Sequence, residues 1–262
     1  MADQPIRFDD GATYEQMMGI WSRLAGDIFL DWLKPTAGLR WIDIGCGNGA
    51  FTERLVERYA PAGIEGVDPS DAQLAYARSR HKANIARFTN AGAMDLPFPA
   101  HSFDAAVMAL VIFFVSNPAK GVSEMRRVVR PGGSISAYAW DVLGGALPHQ
   151  DIRDELREMG HPVPLPPSVE ASHIDNLHRL WVSAGLGAIE TRTIEVQRTY
   201  ADFDEYWRIS LLGPGASQTV KNLTSTDLTR LKDKLRSNAR LDSVGRITSA
   251  ARANAVKGKV PG

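Results

Sequence analysis

The sequence predicts an α/β protein with a doubly wound, seven-stranded, mostly parallel sheet and helical insertions. Short apolar runs alternate with segments of helical periodicity through about the first 140 residues, which is the pattern of βαβ crossovers. A glycine-rich turn joins the first apolar run to the helix that follows it. The chain has 262 residues, of which 44% are hydrophobic and 23% are charged, a composition typical of a folded globular domain.

The first half of the chain supplies five strands and the helices between them. Apolar residues recur every three or four positions after Thr13, a suitable N-cap, and predict an amphipathic helix that ends near Pro35. The expected strands are 39–44, 64–67, 85–88, 103–111 and 134–140, and the expected connecting helices are 51–59, 70–80 and 118–129.

The alternation ends after Trp140. Two glycines at 144–145 and four prolines between 162 and 167 predict an irregular insertion over one edge of the sheet. The remaining expected elements are a helix at 174–184, a strand at 188–196, helices at 202–212 and 226–241, and a last strand at 246–255. We expect one domain, with a helical lid at 1–36, a core at 37–140, and 141–262 completing the sheet with insertions at 141–172 and about 199–243.

Charge and composition exclude several classes of protein. Basic and acidic residues both number 30, so the net charge is zero and no basic field favours nucleic acid or an anionic membrane. The longest apolar run, 105–115, is shorter than the roughly 20 residues that a membrane-spanning helix needs. The single cysteine, Cys46, cannot form an intrachain disulfide, and the first residues do not resemble a signal peptide. We therefore expect a cytoplasmic protein.

The glycine turn can bring a ligand close to the backbone at the start of a helix. Gly45, Gly47 and Ala50 satisfy a relaxed dinucleotide fingerprint, and Asp68 follows where a ribose-binding carboxylate is expected, which suits a nicotinamide-dependent oxidoreductase. Asp43, two positions before the turn, would repel a pyrophosphate and attract the ammonium group of S-adenosylmethionine, which carries no phosphate. Asp43 therefore favours S-adenosylmethionine as the cofactor.

Four segments occur in a characteristic order: WIDIGCGNGAFT, GVDPS, LPFPAHSFDAAV and VVRPGGSI. Together they resemble the successive motifs of class I S-adenosylmethionine-dependent methyltransferases of the ubiquinone/menaquinone and type 11 branch. The likeness covers about residues 37–140 and extends to the helix at 14–33. It implies a Rossmann-like fold, an S-adenosylmethionine-binding core at 37–140, methyl transfer to a small organic acceptor, and S-adenosylhomocysteine as the product.

The resemblance also implies a set of cofactor contacts. They are Tyr14, Arg23, Asp43, Gly45, Cys46, Gly47, Asn48, Gly49, Asp68, Pro69, Ala93, Met94, Ala109 and Leu110. By similarity, Asp43 would face the amino end of the cofactor, Asp68 would hold the ribose hydroxyls, and Met94 would cover the adenine ring. Arg23, on the lid helix, would pair with the cofactor carboxylate.

This sequence departs from the family pattern at two places. An acidic residue commonly precedes the alanine of the adenine loop, whereas this chain has Gly92 there, with Asp95 as a possible substitute three positions later. After the fourth strand, where many relatives carry histidine, the chain has Phe113 and Phe114. These two rings, together with Trp21 and Trp140, are the expected walls of an apolar acceptor pocket, with core packing as the alternative.

The chemistry of the transfer is less specified by the sequence. A catalytic base is not required, and the candidates for one are His149, His161 and His173, each of which is otherwise a loop histidine. No His-Glu-x-x-His and no cysteine pair occurs, so no metal site is predicted. The expected partner is a small-molecule methyl acceptor, the expected state a monomer or homodimer, and the alternatives an oxidoreductase or a non-catalytic S-adenosylmethionine-binding protein.

Overall fold

The computed structural model describes residues 15–212 and 215–262, which form a seven-stranded sheet flanked by helices. In chain order the strands are β1 (Arg40–Ile44), β2 (Gly63–Asp68), β3 (Ala86–Asn90), β4 (Phe103–Ala109), β5 (Val129–Trp140), β6 (Gly187–Tyr200) and β7 (Ile247–Lys259). The helices are α1 (Ile20–Leu33), α2 (Ala50–Tyr59), α3 (Asp71–Arg78), α4 (Pro118–Val128), α5 (Gln150–Glu158), α6 (Ile174–Ser183), α7 (Phe203–Ser210), α8 (Ala216–Lys221) and α9 (Ser225–Asn238). The predicted α/β class is confirmed.

The strand order is β3-β2-β1-β4-β5-β7-β6, and the first five strands of the chain are parallel. β7 runs antiparallel to both of its neighbours, β5 and β6. β1 lies between β2 and β4, and its last four residues are buried, as expected for a strand that is covered on both faces. From β1 the chain adds β2 and β3 on one side of the sheet and then β4 and β5 on the other, so the direction of the strand order changes between β1 and β4. In open α/β sheets, ligands bind at this switch point, at the carboxyl ends of the strands.

Helix α1 packs against the sheet through an apolar stripe. Trp21, Ala25 and Phe29 follow each other at intervals of four residues and are fully buried. A single π-helical turn, Glu15–Gly19, precedes the helix, and Lys34 ends it in the left-handed conformation. None of the helices in the described part of the chain has both the length and the apolar character needed to span a bilayer.

The C-terminal half differs in detail from the sequence-based prediction. The insertion that was expected to be irregular contains α5, because no proline lies between Pro148, before this helix, and Pro162, after it. β6 and β7 continue to Tyr200 and Lys259, beyond the predicted strand ends, because they pair as one long antiparallel ribbon. The first half of β6 is mostly exposed, so its residues do not show the alternation of apolar and polar side chains that marks a half-buried strand.

A second, smaller hydrophobic core lies beside the main one. It is formed by the apolar faces of α5, α7, α8 and α9 together with the ends of β6 and β7. The hydroxyl group of Tyr200 joins this core to α1, because it accepts a hydrogen bond from Trp21 Nε1 at 3.2 Å and lies 2.6 Å from His149 Nε2. All three side chains are buried, so this hydroxyl satisfies two polar groups that water does not reach.

Replacing Tyr200 by Phe would leave the indole N–H of Trp21 and the imidazole of His149 without this partner. We expect the free energy of unfolding to fall by about 1–3 kcal/mol, the usual cost of an unsatisfied buried polar group. Urea denaturation measures the change. Tyr76→Phe is the control, because the Tyr76 hydroxyl makes no hydrogen bond in the described part of the chain. Equal stability of Tyr200→Phe and Tyr76→Phe would contradict the role of Tyr200.

Candidate functional site

A cleft of about 1030 Å³ opens over the carboxyl ends of β1, β2 and β4. Its wall includes the glycine turn, the first turn of α3, the loop 91–94 after β3, and the segment that follows β4. Pro164, Leu165 and Pro167 of the predicted insertion line the other side. The volume lies just above the roughly 300–1,000 Å³ typical of ligand pockets. The cleft therefore has room for a cofactor and a second molecule.

The glycines of the turn are required by its geometry. Gly45, Gly47 and Gly49 all have positive φ angles, of 72°, 52° and 78°. A Cβ atom at Gly45 would lie 2.5 Å from the methyl groups of Val111, so a side chain there would displace the segment after β4. At Gly47, by contrast, a Cβ atom would approach only Gln73 Oε1, at 3.9 Å. Gly47 and Gln73 both line the cleft, and no side chain covers the Gly47 backbone, so a ligand in the cleft can approach that backbone closely.

Most backbone N–H groups of the turn already have partners within the protein. Gly45 and Cys46 donate to Val67 O, Gly47 to Asp68 Oδ2, Gly49 to Cys46 O, and Ala50 to Asn48 Oδ1. A dinucleotide pyrophosphate needs N–H groups that point at it from the start of the helix. The five donors of this turn are committed elsewhere, so they do not form a phosphate cradle.

Asp68, at the end of β2, holds the turn and still has capacity to bind a ligand. Its Oδ2 accepts the Gly47 N–H at 3.0 Å and its Oδ1 accepts the Ser70 N–H at 2.9 Å. Each carboxylate oxygen has two lone-pair sites, so each can accept one further hydrogen bond. Burial raises the pKa of this carboxyl above its usual value, and the two N–H groups partly offset that effect. Two adjacent hydroxyl groups, as on a ribose, fit the acceptor sites that remain.

Asp43 lies behind the glycine turn and is not part of the cleft wall. Its side chain is buried, and its Oδ2 accepts a hydrogen bond from Thr52 Oγ1 at 2.6 Å, while Oδ1 has no partner. Burial raises the pKa of this carboxyl to about 7. The structure therefore does not bring Asp43 together with the other predicted contacts, and its contact with the amino end of the cofactor stays a prediction.

The remaining predicted cofactor contacts of the core line the cleft, except Gly49, whose Cβ position lies 3.0 Å from Ala77 Cβ. They are Cys46, Asn48, Pro69, Ala93, Met94, Ala109 and Leu110. Gly92 lines it as well, with no atom within 4 Å of where its Cβ would be. Leu110 follows β4 with a φ angle of 63°, a conformation that non-glycine residues adopt rarely and that clusters at functional sites.

The two predicted contacts from the lid helix are placed differently. Tyr14 lies outside the described residues. Arg23 is exposed on α1 and does not line the cleft. Its neighbour Ser22 lines the cleft instead, and the Ser22 hydroxyl is buried with no hydrogen-bond partner. Ser22 could not be found from the sequence. Which of the two neighbours, Ser22 or Arg23, faces the cleft depends on how α1 is rotated about its own axis when it packs on the sheet.

The four aromatic residues predicted to wall the acceptor pocket separate into two groups. Phe114 lines the cleft, and the ring of Phe113 packs against it at 4.5 Å between centroids. Trp21 and Trp140 are buried in the main core, where their rings pack edge to face with centroids 6.5 Å apart. These two residues therefore serve core packing, which was the alternative to a role in the pocket wall. Tyr138 and Phe51 line the cleft without having been predicted to do so.

None of the three candidate histidines lines the cleft. His149 is buried against Tyr200, and burial lowers its pKa to about 3. His173 caps α6, since its Nδ1 accepts the Asp175 N–H at 3.3 Å. His161 is half-buried in the loop after α5. Within residues 15–212 and 215–262, no cluster of histidine, cysteine or acidic side chains is suited to hold a metal ion.

Comparison with known proteins gives matches of sequence and of fold. Residues 42–137 match the family model described as a methyltransferase domain. An uncharacterized methyltransferase from Mycobacterium tuberculosis is 36% identical over 106 residues, which are 40% of this chain and 42% of that protein. A demethylmenaquinone methyltransferase from Tropheryma whipplei is 43% identical over 106 residues, 39% of this chain and 42% of that protein.

The chain thus spans about two fifths of the length of these curated relatives. Among solved structures, the YcgJ protein from Bacillus subtilis superposes with a TM-score of 0.61. The superposition covers 91% of this chain and 98% of the YcgJ chain. The identity of that pair is 19%, so the match concerns the fold.

The buried Asp43 carboxyl predicts a pH dependence of stability. Its pKa is about 7 in the folded protein and about 4 in an unfolded chain, so between these values the folded state holds a proton that the unfolded state has lost. Stability should therefore fall as pH rises from about 4 to about 7, by up to about 1.4 kcal/mol per pH unit from this group.

Asp43→Asn should remove this contribution. Urea denaturation of both proteins at several pH values between 4.5 and 7.5 gives the difference in their free energies of unfolding, in which the other titrating groups cancel. We expect the difference to move in favour of the variant as pH rises. A difference that does not change with pH would contradict the raised pKa.

Proposed function

We propose that the chain transfers a methyl group from S-adenosylmethionine to a small organic acceptor, since residues 42–137 match the methyltransferase domain model. This match confirms the resemblance carried by the four sequence motifs. The proposal depends on two features of the site. The Asp68 carboxylate can accept further hydrogen bonds, whereas five N–H groups of the glycine turn already donate to acceptors within the protein. That combination suits an adenosyl cofactor without phosphate groups.

The cofactor would lie along the cleft with its adenosine part over β2 and β3. Asp68 would accept hydrogen bonds from the two ribose hydroxyls, and the backbone at Gly45 and Gly47 would lie against the methionine part. Ala93 and Met94 would pack against the adenine ring. The Met94 sulfur already accepts a hydrogen bond from Ser116 Oγ at 3.4 Å. Because Gly92 offers no side chain, recognition of adenine depends on shape and on backbone groups.

When bound, S-adenosylmethionine supplies an electrophilic methyl group on an excellent leaving group, and the acceptor attacks in line with the breaking bond. The protein contributes by aligning the acceptor and by excluding water. Ser168 fixes the segment with Pro164 and Leu165 over the cleft, because its N–H donates to Phe113 O at 3.0 Å and its hydroxyl to Val115 O at 2.7 Å. None of the candidate histidines lines the cleft, so we assign no catalytic base.

The acceptor we propose is partly apolar or aromatic. The described cleft wall after β4 and below the insertion is mostly apolar and carries no charged side chain; it includes Leu110, Val111, Phe114, Val115 and Leu165, with Ser116 as its polar member. Burial of a neutral lipophilic molecule against such a wall is favourable, whereas a charged acceptor would lose hydration without a compensating partner. The single cysteine suits a reducing compartment, and we place the reaction in the cytoplasm.

Two alternatives make different predictions. A nicotinamide-dependent oxidoreductase would need N–H groups for a pyrophosphate, and the five committed donors of the glycine turn oppose it. A non-catalytic S-adenosylmethionine-binding protein would bind the cofactor but form no S-adenosylhomocysteine with any member of a panel of aromatic and lipophilic acceptors. Formation of S-adenosylhomocysteine that depends on an added acceptor supports the methyltransferase.

Asp68→Ala removes both acceptor oxygens proposed for the ribose. We expect the Kd for S-adenosylhomocysteine, measured by isothermal titration calorimetry, to rise at least tenfold, since hydrogen bonds to a charged group contribute about 1.5–3 kcal/mol. Asp71→Ala is the matched control, because Asp71 also lines the cleft but is exposed at the first turn of α3. An unchanged Kd in Asp68→Ala, or an equal rise in Asp71→Ala, would sink the assignment.

A further inference from the structure

The Ser22 hydroxyl is a buried polar group with no hydrogen-bond partner among the described residues, in a residue that lines the cleft. Serine in a helix usually points its hydroxyl to solvent or bonds it to a carbonyl of the preceding turn. Ser22 does neither, although it lies within α1. An unsatisfied buried hydroxyl is uncommon enough to need an explanation, and a ligand that completes its hydrogen bonding is a specific one.

The neighbours of Ser22 hold it in this position. Trp21, the residue before it, is fully buried and donates its indole N–H to Tyr200. At the start of the preceding π-helical turn, Glu15 accepts hydrogen bonds from Arg80 at 2.6 Å and from Asn48 at 3.0 Å. These contacts attach the helix to β6 on one side and to the glycine turn on the other. The orientation of Ser22 toward the cleft is therefore a fixed property of α1.

Ser22 lies at the end of the cleft remote from the proposed adenosine site. Helix α1 packs on α2, β6 and β7, whereas Asp68 and the loop 91–94 follow β2 and β3 on the opposite side of the sheet order. One turn further along α1, Gly26 lies against Phe51 and Tyr138, since its Cβ would be 3.3 Å from each. The amino-acid end of an adenosyl cofactor would point toward this side.

This end of the cleft has few donors for a carboxylate. The part of its wall that the structure describes contains no lysine, arginine or histidine. Five of the turn N–H groups are committed, the Asn48 side chain donates to Glu15, and Ser116 donates to Met94. The Ser22 hydroxyl is uncommitted, and rotation about χ1 moves it between staggered positions without moving the helix.

We propose that Ser22 is a cofactor-binding residue whose hydroxyl donates a hydrogen bond to the carboxylate at the amino-acid end of S-adenosylmethionine. The inference rests on the proposed function and assigns to Ser22 the position that the sequence suggested for Arg23. It also accounts for the unpartnered hydroxyl, because the bound carboxylate completes its hydrogen bonding.

Ser22→Ala tests the inference with two ligands. S-Adenosylhomocysteine carries the amino-acid end, whereas 5′-methylthioadenosine has the same adenosine and sulfur but lacks it. By isothermal titration calorimetry we expect the Kd of the variant for S-adenosylhomocysteine to rise about tenfold, and the Kd for 5′-methylthioadenosine to stay within twofold of wild type. Ser237→Ala, an exposed serine on α9, is the control and should change neither Kd.

The unliganded Tm gives an independent readout. Alanine removes an unsatisfied buried hydroxyl and has the higher helix propensity, so the variant should unfold at the same or a higher temperature than wild type. A purely structural serine would lower the Tm.

Three results would overturn the inference: an unchanged Kd for S-adenosylhomocysteine, an equal loss for both ligands, or a loss of affinity accompanied by a lower unliganded Tm. If the wild-type protein binds S-adenosylhomocysteine and Ser22→Ala binds it equally well, this inference alone fails. If the wild type binds neither ligand, the proposed function fails and the role of Ser22 with it.

Discussion

The attachment of the glycine turn to the end of β2 is the constraint on which the rest of the site depends. Gly45 and Cys46 donate to Val67 O at 2.7 and 3.0 Å, and Gly47 donates to Asp68 at 3.0 Å. These bonds attach the residues that follow β1 to the last two residues of β2. They fix the position of α2 and the floor of the cleft, and they consume the donors that a phosphate would require.

The remaining elements of the site are placed relative to that turn. Val111, after β4, packs so closely on Gly45 that no side chain fits between them, which joins the acceptor side of the cleft to the cofactor side. The first turn of helix α1 borders the cleft through Ser22. It is held there by Glu15, which accepts hydrogen bonds from Asn48 and Arg80, and by Trp21, which donates to Tyr200. The small C-terminal core therefore influences the site at a distance, because Tyr200 belongs to it.

The parallel half of the fold could be predicted from sequence because its strands are buried on both faces and its helices are amphipathic. These properties give continuous apolar runs, such as 105–115, and regular spacing between them. The antiparallel ribbon of β6 and β7 was harder to predict. β6 lies at the edge of the sheet and is mostly exposed along its first half, and the length of the ribbon depends on pairing between distant residues. Helix α8, only six residues long, has too few positions for a detectable period.

At the site, sequence reasoning found the residues whose role follows from backbone geometry and failed where orientation decides. The glycines and Asp68 are placed by the strand, turn and helix that the sequence makes evident. Whether Arg23 or Ser22 faces the cleft depends on the rotation of α1, which its packing on the sheet determines. Trp21 and His149 are placed by contacts between residues far apart in sequence, and only the folded structure shows that the core contains them.

The geometry of the turn suits this cleft to an adenosyl cofactor without phosphate groups. Thermal unfolding with S-adenosylmethionine, S-adenosylhomocysteine and NADH in parallel measures this preference. A ligand that binds only the folded state at a hundred times its Kd stabilises the protein by about 2.7 kcal/mol, which is several degrees for a chain of this length. We predict this rise in Tm with the first two ligands and none with NADH. A rise in Tm with NADH, or no rise with either adenosyl compound in a folded sample, would show that the cleft does not select such a cofactor.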